Sequence, residues 1–428
     1  MHTRMLLTVL AVVALASTAT AVPYASGVST AGTDVTFILN QDADDVTLML
    51  EGGGTQPLGA MTKGTHTVTV PTLGTHQIRV THSDAVGWTQ LHADSEATNF
   101  WLPCGVSVNK NPLSPNYGKV YVSESQGGLT GAGRTTTSGI YMLNADTTDA
   151  GYANGGKDWG AAGNSSPWKS TIGPDDHLYV TDYSNDLAWE FNADMSSVTA
   201  LIDASNKTEK QWVEGIHVEG TQAGGDREIY LVNSNYNDTA RKGLIQYGLG
   251  GNATATSGDT GTQYIGPGYF GFYPRDVARD SNGDWYMNQF RSTAGEAPPL
   301  TKFLDSATLP INDADWEASS AYTGAYGLDI YEALGWIAYG GYYDGWVRIF
   351  NMADGSYVTG FDAGSRLREV AFDAVGNLYT VDTTGERLRV WSPGGDTLMS
   401  TPFTIVPEPA TLSLLALSGV VLLWRRRR

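Results

Sequence analysis

Ala371–Trp391 reads AFDAVGNLYTVDTTGERLRVW. An apolar strand ends at Phe372, and a second strand carries Tyr379. A polar loop covers Thr383–Glu386, and a third strand ends on Trp391. The period-2 alternation of the third strand and the Asp- and Gly-rich breaks predict short antiparallel strands. Gly376-Asn377 supplies the backbone conformations that a tight hairpin needs.

The same unit recurs upstream, in Gly105–Ser125, Lys169–Asn192, Gly215–Asn235, Pro274–Phe290 and Tyr326–Asn351. Its marker tyrosines are Tyr121, Tyr179, Tyr230, Tyr286, Tyr339 and Tyr379, spaced 58, 51, 56, 53 and 40 residues apart. Such a unit cannot bury both faces alone, and a closed ring of units removes most exposed strand edges. The expectation is an all-β chain with a β-propeller of about six blades over 101–405; the spacing also accommodates five or seven. The pattern apolar-x-x-Asp-x-x-Gly-Asn-apolar-Tyr in the last unit resembles NHL-type six-bladed propellers.

Before the repeats, Val35, Phe37 and Leu39 share one face of a predicted strand. So do Val46, Leu48 and Leu50, then Val68 and Val70, then Ile78 and Val80. Short half-buried strands at this frequency predict a small immunoglobulin-like β-sandwich over 22–100. It resembles the bacterial Ig-like modules that serve as spacers or adaptors.

The two ends read as addresses. A short basic region, the apolar stretch Met5–Ala16 and the small residues Ala19 and Ala21 predict a signal peptide over 1–21, cut by signal peptidase. At 406–428 stand Pro407-Glu408-Pro409, the apolar run Thr411–Trp424, and Arg425, Arg426, Arg427 and Arg428. Fourteen helical residues cover about 21 Å, short of a roughly 30 Å hydrocarbon core, and snorkelling arginines offset the deficit. The positive-inside rule keeps those arginines cytoplasmic. The three parts in this order resemble the PEP-CTERM sorting signal. That resemblance implies transient anchoring in the inner membrane through a short transmembrane helix. It also implies cleavage by an exosortase and transfer to the cell surface or extracellular matrix.

The net charge is −19 over 428 residues, and loss of both addresses takes the body to about −24. A surface of that sign disfavours nucleic acid or an anionic membrane, and no nucleic-acid partner is expected. Cys104 is the single cysteine, so no intrachain disulfide is possible, and its apolar surroundings predict a buried thiol.

Motifs for a serine nucleophile elbow, a zinc-binding His pair or a phosphate loop are absent. Four histidines, His66, His76, His82 and His92, fall in or beside the sandwich, and His177 and His217 in separate repeats. Asp280, Asn282 and Asp284 put oxygens at alternate positions, as the start of a Ca2+ loop would, but the Gly falls too early and no Glu closes it. A turn is the stronger reading there; Ca2+ or another divalent cation is the cofactor candidate. Aligned first strands gather Glu214, Arg275, Asp276, Arg368 and Glu369 at one end of the channel. "EGIHVE" at Glu214 resembles the opening of gluconolactonase-type propellers, although Ile216 replaces the family's proline. The resemblance implies a metal-dependent lactonase-like hydrolase as the alternative function. Around Tyr339–Trp346, Tyr342 and Tyr343 lie at a turn where their faces can stack on sugars, whereas Trp346 reads as packing between blades. The leading expectation is an exported structural or binding module for polysaccharide or a surface protein.

Overall fold

The computed structural model describes residues 23–406, apart from 161–164, 207–210, 236, 239, 292–296 and 320–323. Both addresses, with Ala19, Ala21, Pro407, Glu408, Pro409 and Arg425–Arg428, therefore lie outside the described residues. Among the described residues no helix is long and apolar enough to cross a membrane.

Six four-stranded antiparallel sheets follow one another along the chain. Their inner strands are Pro103–Val108, Ser170–Ile172, Val213–Glu219, Tyr273–Arg279, Ala325–Tyr331 and Leu367–Phe372. Each inner strand packs beside the inner strands of its two neighbours, and the first meets the last. The ring is a six-bladed β-propeller. All six marker tyrosines stand on second strands and are buried.

The last blade shows why the residues fold this way. Asp373 Oδ1 accepts the backbone N–H groups of Val375 (3.0 Å) and Asn377 (2.9 Å), and Asn377 Nδ2 donates to Asp373 Oδ2 at 2.7 Å. Gly376 sits between them at φ +94°, where a Cβ would meet the Tyr331 ring of the preceding blade at 2.8 Å. Asp382 organises the next turn, accepting N–H groups from Thr384 (3.1 Å) and Gly385 (2.8 Å). Each aspartate of the pattern thus satisfies a turn backbone that would otherwise be unpaired.

The blade's fourth strand comes from the other end of the chain. Thr89–Gln90 pairs with Arg387–Ser392 through Gln90↔Trp391 and Thr89↔Ser392. Trp88 then stacks on Phe361 of blade five, with centroids 4.8 Å apart. The ring is closed by a segment that the sequence assigned to the sandwich.

The converse exchange also occurs. One sheet of the N-terminal sandwich contains Ala25–Ala31, Asp34–Leu39 and Gly64–Thr69. The other runs in the order Asp396–Ile405, Gly74–Ser83, Ala43–Met49, Thr55–Met61. Val35, Phe37, Leu39, Val46, Leu48, Ile78 and Val80 fill the space between, as the alternation predicts. Phe403 and Ile405 join them. The expectation that 101–405 is all propeller is corrected here: Asp396–Ile405 pairs with Gly74–Ser83 over ten residues, and Thr401 Oγ1 donates to the Ala25 carbonyl at 2.8 Å. A strand's own alternation says which face is buried, but not which distant sheet accepts it. Sandwich and propeller touch where Tyr24 packs on Tyr117, centroids 5.3 Å apart, beside Val375.

Candidate functional site at the closed end of the channel

Five of the six inner strands carry a register irregularity at the same end. Aligned at that end, the six segments carry Cys104-Gly105, Trp168-Lys169 (just before its strand), Glu214-Gly215, Arg275-Asp276, Tyr326-Gly327 and Arg368-Glu369. The second residues alternate around the ring: Gly, Lys, Gly, Asp, Gly, Glu. A Cβ on Gly105 would lie 2.4 Å from the Trp168 carbonyl oxygen. On Gly215 it would lie 2.6 Å from Asp276 Oδ1, and on Gly327 2.3 Å from Glu369 Cα. Gly215 and Gly327 therefore vacate the space that the Asp276 and Glu369 carboxylates fill, and Gly105 lets the Trp168–Lys169 backbone come close.

Those three meet. Lys169 Nζ donates to Asp276 Oδ2 (2.7 Å), Glu369 Oε2 (2.8 Å) and the Tyr326 carbonyl (3.1 Å). All three groups are buried. Burial works against the Lys169 ammonium, but the charges of Asp276 and Glu369 outweigh it and hold its pKa above the ordinary value. Burial first, and then the Asp276 charge, pushes the Glu369 carboxyl well above the carboxylate range. One ammonium between two carboxylates makes the three groups titrate as a coupled set.

The layer above is aromatic and cationic. Arg275 Nη1 pairs with Glu214 Oε1, and Trp168 Nε1 donates to Glu214 Oε2 at 2.5 Å. The Arg368 guanidinium lies over the rings of Trp168 (4.8 Å), Tyr326 (5.0 Å) and Tyr342 (5.0 Å), and donates to the Tyr326 hydroxyl at 2.9 Å. Burial raises the Cys104 thiol to about 11, which leaves it protonated and unreactive at neutral pH.

Further rings extend this layer outward. Tyr183 stacks on Trp168 and Tyr342 on Tyr326, at 4.9 and 5.3 Å, and Phe290 contacts both Tyr342 and Tyr343. Trp212 stacks on Tyr273 at 6.2 Å and is held at φ +51°, a conformation that bulky residues seldom adopt. Tyr343 is 50% exposed, and Trp346, read from sequence as blade packing, is 41% exposed.

Glu214, Arg275, Asp276, Arg368 and Glu369 thus come together, with Tyr342 and Tyr343 beside them. Lys169, Trp168 and Tyr326, which link them, escaped the sequence reading. For Lys169 the signal was the alternation of glycine and charge in the aligned second column; Trp168 and Tyr326 precede its members in the first.

Beyond the charged layer, the channel opens into a cavity of about 770 Å³. Its walls include Ser107, Thr171, His217 and Asp329, and Lys110 near its rim pairs with Asp329 at 2.7 Å.

Asp280, Asn282 and Asp284 form a turn rather than a cage. Asp280 Oδ1 accepts the N–H groups of Asn282 (3.0 Å) and Asp284 (2.9 Å), Tyr286 donates to its Oδ2 (3.0 Å), and Asp284 pairs with Lys302 at 2.9 Å. The one metal-compatible cluster among the described residues is Asp175, His177 and Glu190, whose ligating atoms lie within 4.8 Å of one another. There His177 Nδ1 contacts Glu190 Oε1 at 2.6 Å, Arg227 holds the other Glu190 oxygen at 2.6 Å, and Tyr179 donates to Asp175 at 2.9 Å. A cation would have to displace those partners.

The described architecture is that of a six-bladed propeller joined to a two-sheet sandwich. Residues 406–428 match the PEP-CTERM protein-sorting motif, which marks the chain as an exported protein processed by exosortase. No curated protein sequence matches the chain. Among solved structures it is similar to a protein of unknown function from Bacteroides thetaiotaomicron (12% identity, TM-score 0.45, 88% of this chain and 98% of that one). It is also similar to a gluconolactonase from Xanthomonas campestris (10%, 0.44, 74% and 89%) and to a PQQ-bound aldose sugar dehydrogenase from Streptomyces coelicolor (13%, 0.46, 74% and 100%). Likenesses this remote carry no substrate across to this chain.

Proposed function

We propose that the mature protein is an extracellular binding module that holds polysaccharide at the aromatic end of its propeller. One observation carries the reading: ring contacts join Phe290, Tyr326, Tyr342 and Tyr343 at the closed channel mouth, and the Arg368 guanidinium links them to the stacked pair Trp168 and Tyr183. Aromatic faces of this kind stack on sugar rings. The lactonase-like alternative would need open carboxylates. Here Glu214 is engaged by Arg275 and Trp168, and Asp276 and Glu369 by Lys169. The sandwich serves as an Ig-like spacer, and the NHL-like ring is the recognition unit. Transient anchoring in the inner membrane precedes exosortase cleavage and delivery to the surface or matrix.

The test is binding of the exported protein to immobilised polysaccharides, alongside the double variant Tyr342→Ala, Tyr343→Ala. Glycan capture lost in the variant supports the reading. Lactone turnover with one retained divalent ion per chain would replace it with the enzyme. For processing, an intact mass that still includes Arg425–Arg428 would overturn removal of the tail.

A further inference from the structure

Two arginines stand at the aromatic mouth without an ionic partner. Among the described residues no carboxylate lies within 4.0 Å of the guanidinium of Arg366 or Arg368; Arg134 and Arg241 also lack one but spend their donors on backbone carbonyls, whereas Arg275, Arg279, Arg348, Arg387 and Arg389 each pair with a carboxylate. Arg366 is exposed and lies over Tyr342 at 5.3 Å. Arg368 Nε is buried with no hydrogen-bond partner, although the guanidinium is boxed by three rings. Carboxylates near these arginines are occupied elsewhere. Asp382 accepts the backbone N–H groups of Ser365 (2.8 Å) and Arg366 (3.1 Å), and Asp344 pairs with Arg348.

The charged layer beneath adds to this. Lys169, Arg275 and Arg368 face Glu214, Asp276 and Glu369. These three cations balance the three carboxylates, so the exposed Arg366 adds a positive charge that none of them offsets, on a protein whose formal charge is −19. A positive spot in a negative surface selects its ligand by charge as well as by shape.

We infer that this mouth binds an acidic polysaccharide, with sugar rings stacked on Tyr342 and Tyr343 and sugar carboxylates paired with Arg366 and Arg368. A guanidinium offers a planar pair of donors that matches a carboxylate bidentately. The aromatic box holds Arg368 in place before binding, so little side-chain freedom is lost when the anion arrives. The inference rests on the reading of the aromatic end as a glycan site and names the class of glycan.

The experiment is titration calorimetry of the exported protein with two probes of equal length, an oligogalacturonate and a neutral cello-oligosaccharide, at low and high salt. The expected result is at least about tenfold tighter binding of the uronate at low salt, most of it lost at about 0.5 M salt as screening removes the ionic contribution. Arg366→Gln, at an exposed position, should weaken uronate binding severalfold and leave the melting temperature unchanged. Equal affinity for both probes would overturn the inference and leave the glycan reading standing. Binding of neither probe would overturn both. Uronate binding unaffected by Arg366→Gln and by Tyr343→Ala would place the anion elsewhere and sink the inference, with Arg368→Gln read only if it melts like the parent.

Discussion

Lys169→Met is the sharpest perturbation of the channel layer. The methionine fills nearly the same volume but removes the charge that sits 2.7 Å from Asp276 and 2.8 Å from Glu369. The lysine side chain is 1% exposed and its partners 8% and 5%, so water cannot replace it. Removing one partner of a buried ion pair costs about 3–5 kcal/mol, because the remaining charges are left uncompensated. Two adjacent carboxylates would remain, and at least one must stay protonated to stay buried. Their folded pKa values rise above the unfolded ones. The stability they allow is therefore complete below the unfolded carboxylate range and is lost as pH rises through the folded values. The variant should lose more stability at pH 8 than at pH 5. The parent shares part of this dependence through the raised Glu369 and Glu124 carboxyls, but the Lys169 ammonium stays charged through this range and limits it, so the variant's fall from pH 5 to pH 8 should be the steeper. Urea denaturation of parent and variant at both pH values is the assay. A Lys169→Met protein as stable as the parent, or equally destabilised at the two pH values, would refute the account of the layer.

Three further perturbations follow from the same geometry. Gly327→Ala puts a Cβ 2.3 Å from the Glu369 backbone and should destabilise by about 1–3 kcal/mol or more, whereas Gly248→Ala, with open space at its Cβ, should be near neutral; melting of both variants checks the contrast. Glu124, buried while accepting the N–H groups of Trp101 and Leu102, has its pKa raised to about 8, so its contribution is present below the unfolded value and lost as pH rises through about 8. Glu124→Gln should flatten the fall in stability between pH 5 and 8, and an unchanged profile would count against this assignment. Phe403→Ala should cost about 3–5 kcal/mol and show increased amide exchange in the N-terminal strands around Ile78 and Val80, because Phe403 belongs to their core.

Much of the ring was legible because each repeat carries its own turn chemistry. Asp373, Gly376 and Asn377 announce a hairpin in five residues, and the structure shows their hydrogen bonds. The sandwich core was legible for the same local reason, since alternation at Val35, Phe37 and Leu39 states which face is buried. What escaped were the long-range exchanges. Thr89–Gln90 is two residues long and has no pattern, and Asp396–Ile405 alternates without naming Gly74–Ser83 as its partner. At the site, the charged members of the aligned column were visible, but Lys169 precedes its strand and was not read as their counter-ion. The exposure of Trp346 also ran against its alternation, because the outer face of an inter-blade strand obeys the same period as the inner one.

The central claim is that ligand is held at the aromatic end and not in the open channel. Hydrogen–deuterium exchange of the exported protein with and without oligogalacturonate tests it most directly. The account requires slowed exchange in peptides covering 340–345 and 364–369. Slowing confined to 107–111 and 329–333, around the channel's open cavity, would contradict it.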